Sequence, residues 1–364
     1  MTPAPGPRGA ADGRTAGLSP RSGPAAAGGP SEAAAGGPRA AAAPLRDPHR
    51  YQRAGPRLRE HLVLLAFRAG TAVIGRLPFR PAAAVGGWLG VLAYWLWPPK
   101  RRIVRANATH VLGAAPSDPA VGRLGRAVFR NQARWIVESL RMHRLPLDEV
   151  AALVDTSEFP RLEAARAGNG GLIIVSAHLG NGEMGAAAIA RHGLPVRLLT
   201  EDTAHEGLAE AMAARRRPWG VEMISWRNLR EVFRILRAGE ILGLLVDWGY
   251  RPDGIPVRLF GDWTTLPAGP AVLAAKTGVP AIVIWVVRRP DGTFLGGVGD
   301  PVHVGSTDPA ELARATQAIA DDLEHGIRLA PEQWTTFKPM WPADPAEGRR
   351  LAALHRQQTG AAAG

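Results

Sequence analysis

Apolar residues recur along this chain with two periods, and the alternation between them lays out its elements. Leu172, Ile173, Ile174 and Val175 follow one another without a polar interruption, the pattern of a strand covered on both faces. The run turns through His178-Leu-Gly-Asn-Gly, and Glu183 opens a helical stretch, EMGAAAIARH. Downstream, LPVRLLT reads as a strand, HEGLAEAMAARRRPWG as a helix, VEMISW as a strand, NLREVFRILRAG as a helix stopped at Gly239, and EILGLLVDWG as a strand. IPVRLFG, the helix PAGPAVLAAKTG and VPAIVIWVVRR continue the pattern, and GTFLGGVGDPVHV adds antiparallel strands at the far side. Strand and helix alternate at the spacing of βα units, which predicts an α/β fold with a mostly parallel sheet flanked by helices. A last long helix is expected from Asp308-Pro309, with Glu311 completing a capping box and Leu312, Thr316, Ile319, Leu323 and Ile327 as its buried stripe.

Outside this region the pattern changes. Residues 1–55 are Ala, Gly, Pro and Arg with few large apolar side chains and read as a disordered tail, with no apolar run of secretory type. Residues 56–150 read as an N-terminal helical, membrane-associating part, 151–345 as the α/β catalytic domain, and 346–364 as a frayed tail. Within the helical part, AAAVGGWLGVLAYWLW carries no charge and is followed by PPKRRIVR. As a helix it reaches about 24 Å, short of a hydrocarbon core of about 30 Å. Trp88, Tyr94, Trp95 and Trp97 suit a membrane interface, and Lys100, Arg101 and Arg102 suit lipid phosphates. Three readings of residues 82–97 stay open: an interfacial helix pair, a single span, and a soluble core helix. VGRLGRAVFRNQARWIVESLRM is a further helix with a basic, solvated face.

Composition narrows the chemistry. No cysteine is present, so disulfides, thiolate metal sites and a Cys nucleophile are excluded. The net charge of +12 comes almost wholly from arginine, since Lys100, Lys276 and Lys338 are the only lysines. An anionic partner fits that charge, and a membrane surface fits better than nucleic acid, because no zinc finger, RNP motif or basic heptad helix is present. No metal site is expected.

His178 stands at the carboxyl end of a buried strand, where open α/β sheets bind ligands, and Gly180 and Gly182 leave room beside it. Five residues along a regular helix would turn Glu183 about 140° from His178, but a turn leading into a helix can bring them together. The carboxylate then fixes one imidazole nitrogen as N–H and the other is free to take a proton from a hydroxyl. Read alone, the same pair is a surface histidine and a first-turn acid favoured by the helix dipole.

His178, four residues and Glu183 match the His-x4-Asp/Glu motif of glycerolipid acyltransferases. Together with SWRNLREVFRILRAGEILGLLVD, VRLFGDWTTLPAGPAVLAAKTGVPAIVIWV and PEQW, SAHLGNGEMGA resembles the branch of lipid A lauroyl/myristoyl and phosphatidylinositol mannoside acyltransferases over residues 60–342. The resemblance implies an O-acyltransferase at the cytoplasmic face of the cell membrane. It would use acyl-CoA or acyl carrier protein as donor and a membrane glycolipid or lysophospholipid as acceptor, without a cofactor. It implies His178 as general base, Glu183 as its orienting partner, Arg227 near the acceptor's anionic head group and Asp262 as a binding-site acid; Gly180 and Gly182 leave room for a substrate, and Gly269 fits either a close backbone approach at a helix start or a tight turn. Backbone N–H groups of Gly182 and Glu183 are candidates to stabilise the oxyanion, and the hydroxyl of Ser176 reads as structural. The rival reading uses the same turn: Gly180-x-Gly182-x-x-Gly185 followed by Glu201 and Asp202 fits a Rossmann-type NAD-dependent oxidoreductase.

Overall fold

The computed structural model describes residues 57–142, 144–166, 170–200 and 206–360. The expected tail over residues 1–55 and the acids Glu201 and Asp202 lie outside them. Helices α1 (Arg57–Ile74), α2 (Phe79–Leu96), α3 (Pro98–Leu112) and α4 (Pro119–Met142) come first, and α5 (Leu147–Ala151), β1 (Val154–Asp155) and α6 (Phe159–Ala165) lead into the sheet. Helix α2 is turned inside out relative to a core helix. Its small residues Ala83, Gly86, Gly87 and Gly90 are buried together with Tyr94, while Val85, Trp88, Leu89, Leu92, Trp95 and Leu96 face outward. A side chain at Gly90 would collide with the Phe129 carbonyl of α4, and one at Gly86 would lie 2.7 Å from Val137, so the close approach of α2 to α4 requires glycine. Among the described residues no helix, α2 included, is long and apolar enough to cross a membrane.

The α/β part follows as β2 (Leu172–Ser176), α7 (Gly182–Arg191), β3 (Val196–Thr200), α8 (Glu206–Arg216), β4 (Val221–Ser225), α9 (Leu229–Arg237) and β5 (Ile241–Leu245). It continues through β6 (Ile255–Leu259), β7 (Asp262–Leu266), α10 (Gly269–Thr277), β8 (Ala281–Arg288), β9 (Phe294–Val298), α11 (Pro309–Leu329) and α12 (Pro345–Thr359). The seven-stranded sheet has the order β1-β9-β8-β2-β5-β3-β4. The five strands from β8 to β4 run parallel, and β9 pairs antiparallel with β8, as the sequence led us to expect of the far side. Ile173 and Val175 of β2 enter one apolar cluster, with α9, α10 and α11, and Leu172 and Ile174 enter another, with α7. Burial on both faces is what the unbroken apolar run requires.

Three local expectations are corrected. IPVRLFG does not extend the parallel sheet: β6 and β7 form a separate antiparallel hairpin closed by Phe260 and Gly261, both with positive φ, the signature of a tight two-residue turn. Helix α11 starts at Pro309, but the capping box is not made. Asp308 gives no side-chain cap, and Glu311 instead accepts from the Gly305 N–H and pairs with Arg314. The C-terminal stretch is helical over Pro345–Thr359, capped by Asp344 and held by Leu351, which is fully buried.

Candidate active site

Strand register builds the centre of the site. Ser176 of β2 pairs with Leu245 of β5, and the ladder is extended by the Val246 N–H donating to the Ser176 carbonyl. Two residues beyond that pair on each strand stand His178 and Asp247. They meet directly: His178 Nδ1 lies 2.8 Å from Asp247 Oδ1, and the His178 backbone N–H donates to Oδ2 at 2.9 Å. The indole N–H of Trp334 donates to the same oxygen at 3.0 Å. The Asp247 side chain is 3% exposed, whereas that of His178 is 41% exposed and faces a cavity. Burial alone would raise the Asp247 carboxyl, but the His178 imidazolium and the donated hydrogen bonds outweigh it and hold the group below its ordinary value. For His178, burial disfavours the charged form, and the Asp247 charge and hydrogen bond overcome this, so its pKa is raised.

The partner of His178 is therefore Asp247, and the expected orienting contact from Glu183 is replaced. The Glu183 carboxylate is taken by Arg216 at the end of α8, whose Nε donates at 2.8 Å while Nη2 closes the second arm of the fork. Both side chains are largely buried and both line the cavity. The Glu183 N–H is also spent, on the Asn181 side chain that caps α7, which removes it from the oxyanion-stabilising candidates and leaves Gly182 on the cavity wall. The Ser176 hydroxyl donates to the Ile284 carbonyl at 2.8 Å, the structural use expected of it.

The turn between β2 and α7 is fastened from several sides. Thr335 N–H donates to the His178 carbonyl, Gly180 N–H to Gln333, and Asn181 N–H to Val286 of β8. Asn181 Nδ2 donates to Glu138 of α4, which is gripped by both arms of Arg288 in a buried ion pair. Gly180 has φ +60, and a side chain there would collide with the Val286 carbonyl. Gly180→Ala is expected to cost at least about 2 kcal/mol, because a strained left-handed backbone and a backbone collision act together. Urea unfolding of the purified variant measures it.

The cavity itself, about 680 Å³, lies between one face of the sheet and α7. One face of the strands supplies most of its sheet side, through Ile174 and Ser176, Leu198 and Thr200, Gly243 and Leu245, Ile284 and Val286, and Leu199 and Leu244 join them. Gly182, Glu183, Ala186 and Ile189 supply the facing stripe of α7. Val196, level with Ile241, marks its deep end, four residues below Leu245 in the β5 register, or about 13 Å along the strand from the histidine end. His178, Asp247 and Lys338 stand at one end, the Glu183–Arg216 pair lies on the wall beside Met223, and Ile189, Val196 and Leu198 make the far end apolar.

Other residues named from the sequence lie apart from this lining. Arg227 is exposed, with its guanidinium over the Trp226 ring at 5.1 Å. Asp262 begins β7 and pairs with His110 Nδ1 at 2.6 Å, and Gly269 begins α10 in open space. None of the three lines the cavity. Among the described residues no cluster of His and acids suited to a metal is found.

An imidazole held by a buried carboxylate at the mouth of a deep apolar cavity is suited to taking a proton from an alcohol beside a long aliphatic chain. The model of the bacterial lipid A biosynthesis acyltransferase family matches residues 56–342, and the chain belongs to that family. It is similar to the phosphatidylinositol mannoside acyltransferase of Mycolicibacterium smegmatis, 25% identical over 291 residues that cover 79% of this chain and 93% of that one. The protein of the same name from Mycobacterium tuberculosis is 29% identical over 274 residues, covering 70% of this chain and 81% of the relative. The chain is thus an acyltransferase of the lipid A and phosphatidylinositol mannoside type, and the dinucleotide reading is not supported. Gly180 and Gly185 serve close packing of the turn against β8 instead.

Proposed function

We propose that this chain transfers a fatty acyl group from a thioester of coenzyme A or acyl carrier protein to a hydroxyl of a membrane glycolipid of the phosphatidylinositol mannoside type. The observation that carries the reading is the Asp247-held His178 at the polar end of the apolar cavity. With Nδ1 engaged by Asp247, Nε2 accepts the proton of the acceptor hydroxyl as its oxygen attacks the thioester carbonyl. The carbon–sulfur bond then breaks, and the imidazolium returns the proton to the departing thiolate. Asp247 stabilises the imidazolium formed in between. Glu183 holds Arg216 in place at the cavity wall, and Gly182 offers its N–H toward the developing oxyanion.

The acyl chain occupies the space between the sheet and α7. Ala186→Leu narrows that space, and the expected outcome is a shift of preference toward shorter acyl-CoA donors, read as the ratio of kcat/KM values across a chain-length series. An unchanged ratio would remove the cavity from the donor's path. The outward row of Trp88, Leu92 and Trp95 on α2, with Arg101 stacked over Tyr94 and Trp95, supports peripheral attachment to the cytoplasmic face of the membrane. Incubation of the purified protein with labelled palmitoyl-CoA and a panel of membrane lipids tests the assignment. Labelled product on an inositol mannoside supports it, and turnover to free fatty acid alone refutes it.

A further inference from the structure

In a chain whose basic residues are otherwise arginine, two of the three lysines, Lys100 and Lys338, line the catalytic cavity. They are used differently. The Lys100 ammonium donates to the Phe337 carbonyl at 3.0 Å and so fastens the segment that carries Lys338. That segment is bolted down on both sides: Asn107 Nδ2 donates to the Lys338 carbonyl, Asn107 Oδ1 accepts from the Met340 N–H, and Tyr250 N–H donates to the Pro339 carbonyl. At Gly249, φ is +93 and an added side-chain carbon would lie 3.0 Å from the Lys338 β-carbon, so the two backbones are as close as glycine permits. The backbone of Lys338 is fixed, and its side chain lies across the indole of Trp248 with Nζ 4.4 Å from the ring centroid. Trp248 in turn is held by its own N–H donating to the Leu245 carbonyl, and its edge meets the His178 ring at 5.7 Å.

An aromatic face locates an ammonium without neutralising it, whereas a carboxylate would do both. Among the described residues no carboxylate pairs with Lys338. The result is a compact cation with its charge unspent, standing at a cavity mouth one indole away from the general base. Substrates of a lipid acyl transfer bring phosphate to that place from either side, as the phosphates of an activated thioester donor or the phosphodiester of the acceptor lipid.

We propose that Lys338, carried on Trp248, is a substrate-binding residue that receives a phosphate group and so sets the reacting carbonyl or hydroxyl against His178. The inference rests on the acyl-transfer reading above. A second effect follows from the same placement. The charged groups around His178 are Asp247 from just beyond β5, Lys338 from the 335–340 segment, and the Glu183–Arg216 pair and Lys100 on the cavity wall. Of these, Lys338 opposes protonation of the imidazole.

The test compares wild type, Lys338→Met and Lys338→Arg. Donors are palmitoyl-CoA and palmitoyl-pantetheine, which lacks phosphate. Acceptors are a phosphatidylinositol mannoside and an uncharged mannosyl diacylglycerol. Loss of a charge-assisted contact should raise KM for the phosphate-bearing partner about tenfold in Lys338→Met, with kcat changed by less than about threefold. Lys338→Arg should restore most of the affinity. The increase should vanish when the phosphate-free version of the same partner is used, and whichever partner abolishes it identifies the source of the phosphate. The acid limb of the pH profile of Lys338→Met should move to higher pH, since a cation beside the base has been removed. Equal losses with phosphate-free donor and acceptor, or unchanged KM values throughout, would overturn the proposal while wild-type turnover leaves the acyl-transfer reading standing. Wild-type protein that acylates no acceptor would overturn both.

Discussion

Replacing His178 by alanine is expected to lower kcat/KM for acyl transfer by about 10²- to 10⁴-fold, the contribution of a positioned general base. The fold should survive. The ring is partly exposed at the cavity mouth, and its backbone bonds to Asp247 and Thr335 do not depend on the side chain. The variant should therefore melt within a few degrees of wild type, which separates a chemical role from a structural one. Wild-type rates in His178→Ala would remove the imidazole from the reaction altogether.

Asp247→Asn has the second large effect, by a different route. An asparagine fills the same space but carries no charge, and its amide can turn its NH₂ group toward Nδ1 and so favour the wrong tautomer. A loss of about 10³-fold in kcat is expected, with KM affected less. The pH profile carries the sharper signature. His178 must be neutral to act as base, and its pKa is raised because Asp247 outweighs the burial that opposes it. In wild type the acid limb of kcat/KM should therefore lie above the ordinary imidazole value, and in Asp247→Asn the residual activity should titrate lower. Folding stability follows the opposite sign. The depressed Asp247 contributes fully above its unfolded pKa, and the raised His178 contributes fully below its own, so the pair stabilises most between about pH 4 and 6.5. Activity should accordingly rise over the alkaline range in which the pair's contribution to stability is falling. A wild-type acid limb at or below the ordinary histidine value would contradict the geometry.

What could be read from the sequence was the part that local pattern determines. The strand over Leu172–Ser176, the turn at His178 and the helix after it follow from an apolar run, two glycines and an Asn cap, all within twenty residues. The partner of His178 is of another kind. Asp247 ends the apolar stretch EILGLLVD just as His178 follows LIIVSA, so both could be placed at strand ends. That their strands are neighbours and in register depends on the order of strands in the sheet, which no local pattern encodes. Glu183 misled for the same reason: its closeness in sequence to His178 suggested a pair, whereas the nearby cation is Arg216, thirty-three residues away. The interior glycines of α2 were visible, but their inward direction depends on how closely α4 approaches. Asn107 holds Lys338 and Met340 from more than 230 positions away in the chain, a contact no local pattern announces.

Three of the residues that hold the His178–Asp247 pair and the turn after it, Gln333, Trp334 and Thr335, come more than 150 positions after the histidine they support. During synthesis from the N-terminus, β2 and β5 leave the ribosome before this clasp, so any pairing of His178 with Asp247 at that stage lacks the Trp334 bond and the Thr335 anchor. Competence for transfer then arrives among the last properties of the growing polypeptide, by which time the helices that precede the sheet have already been made.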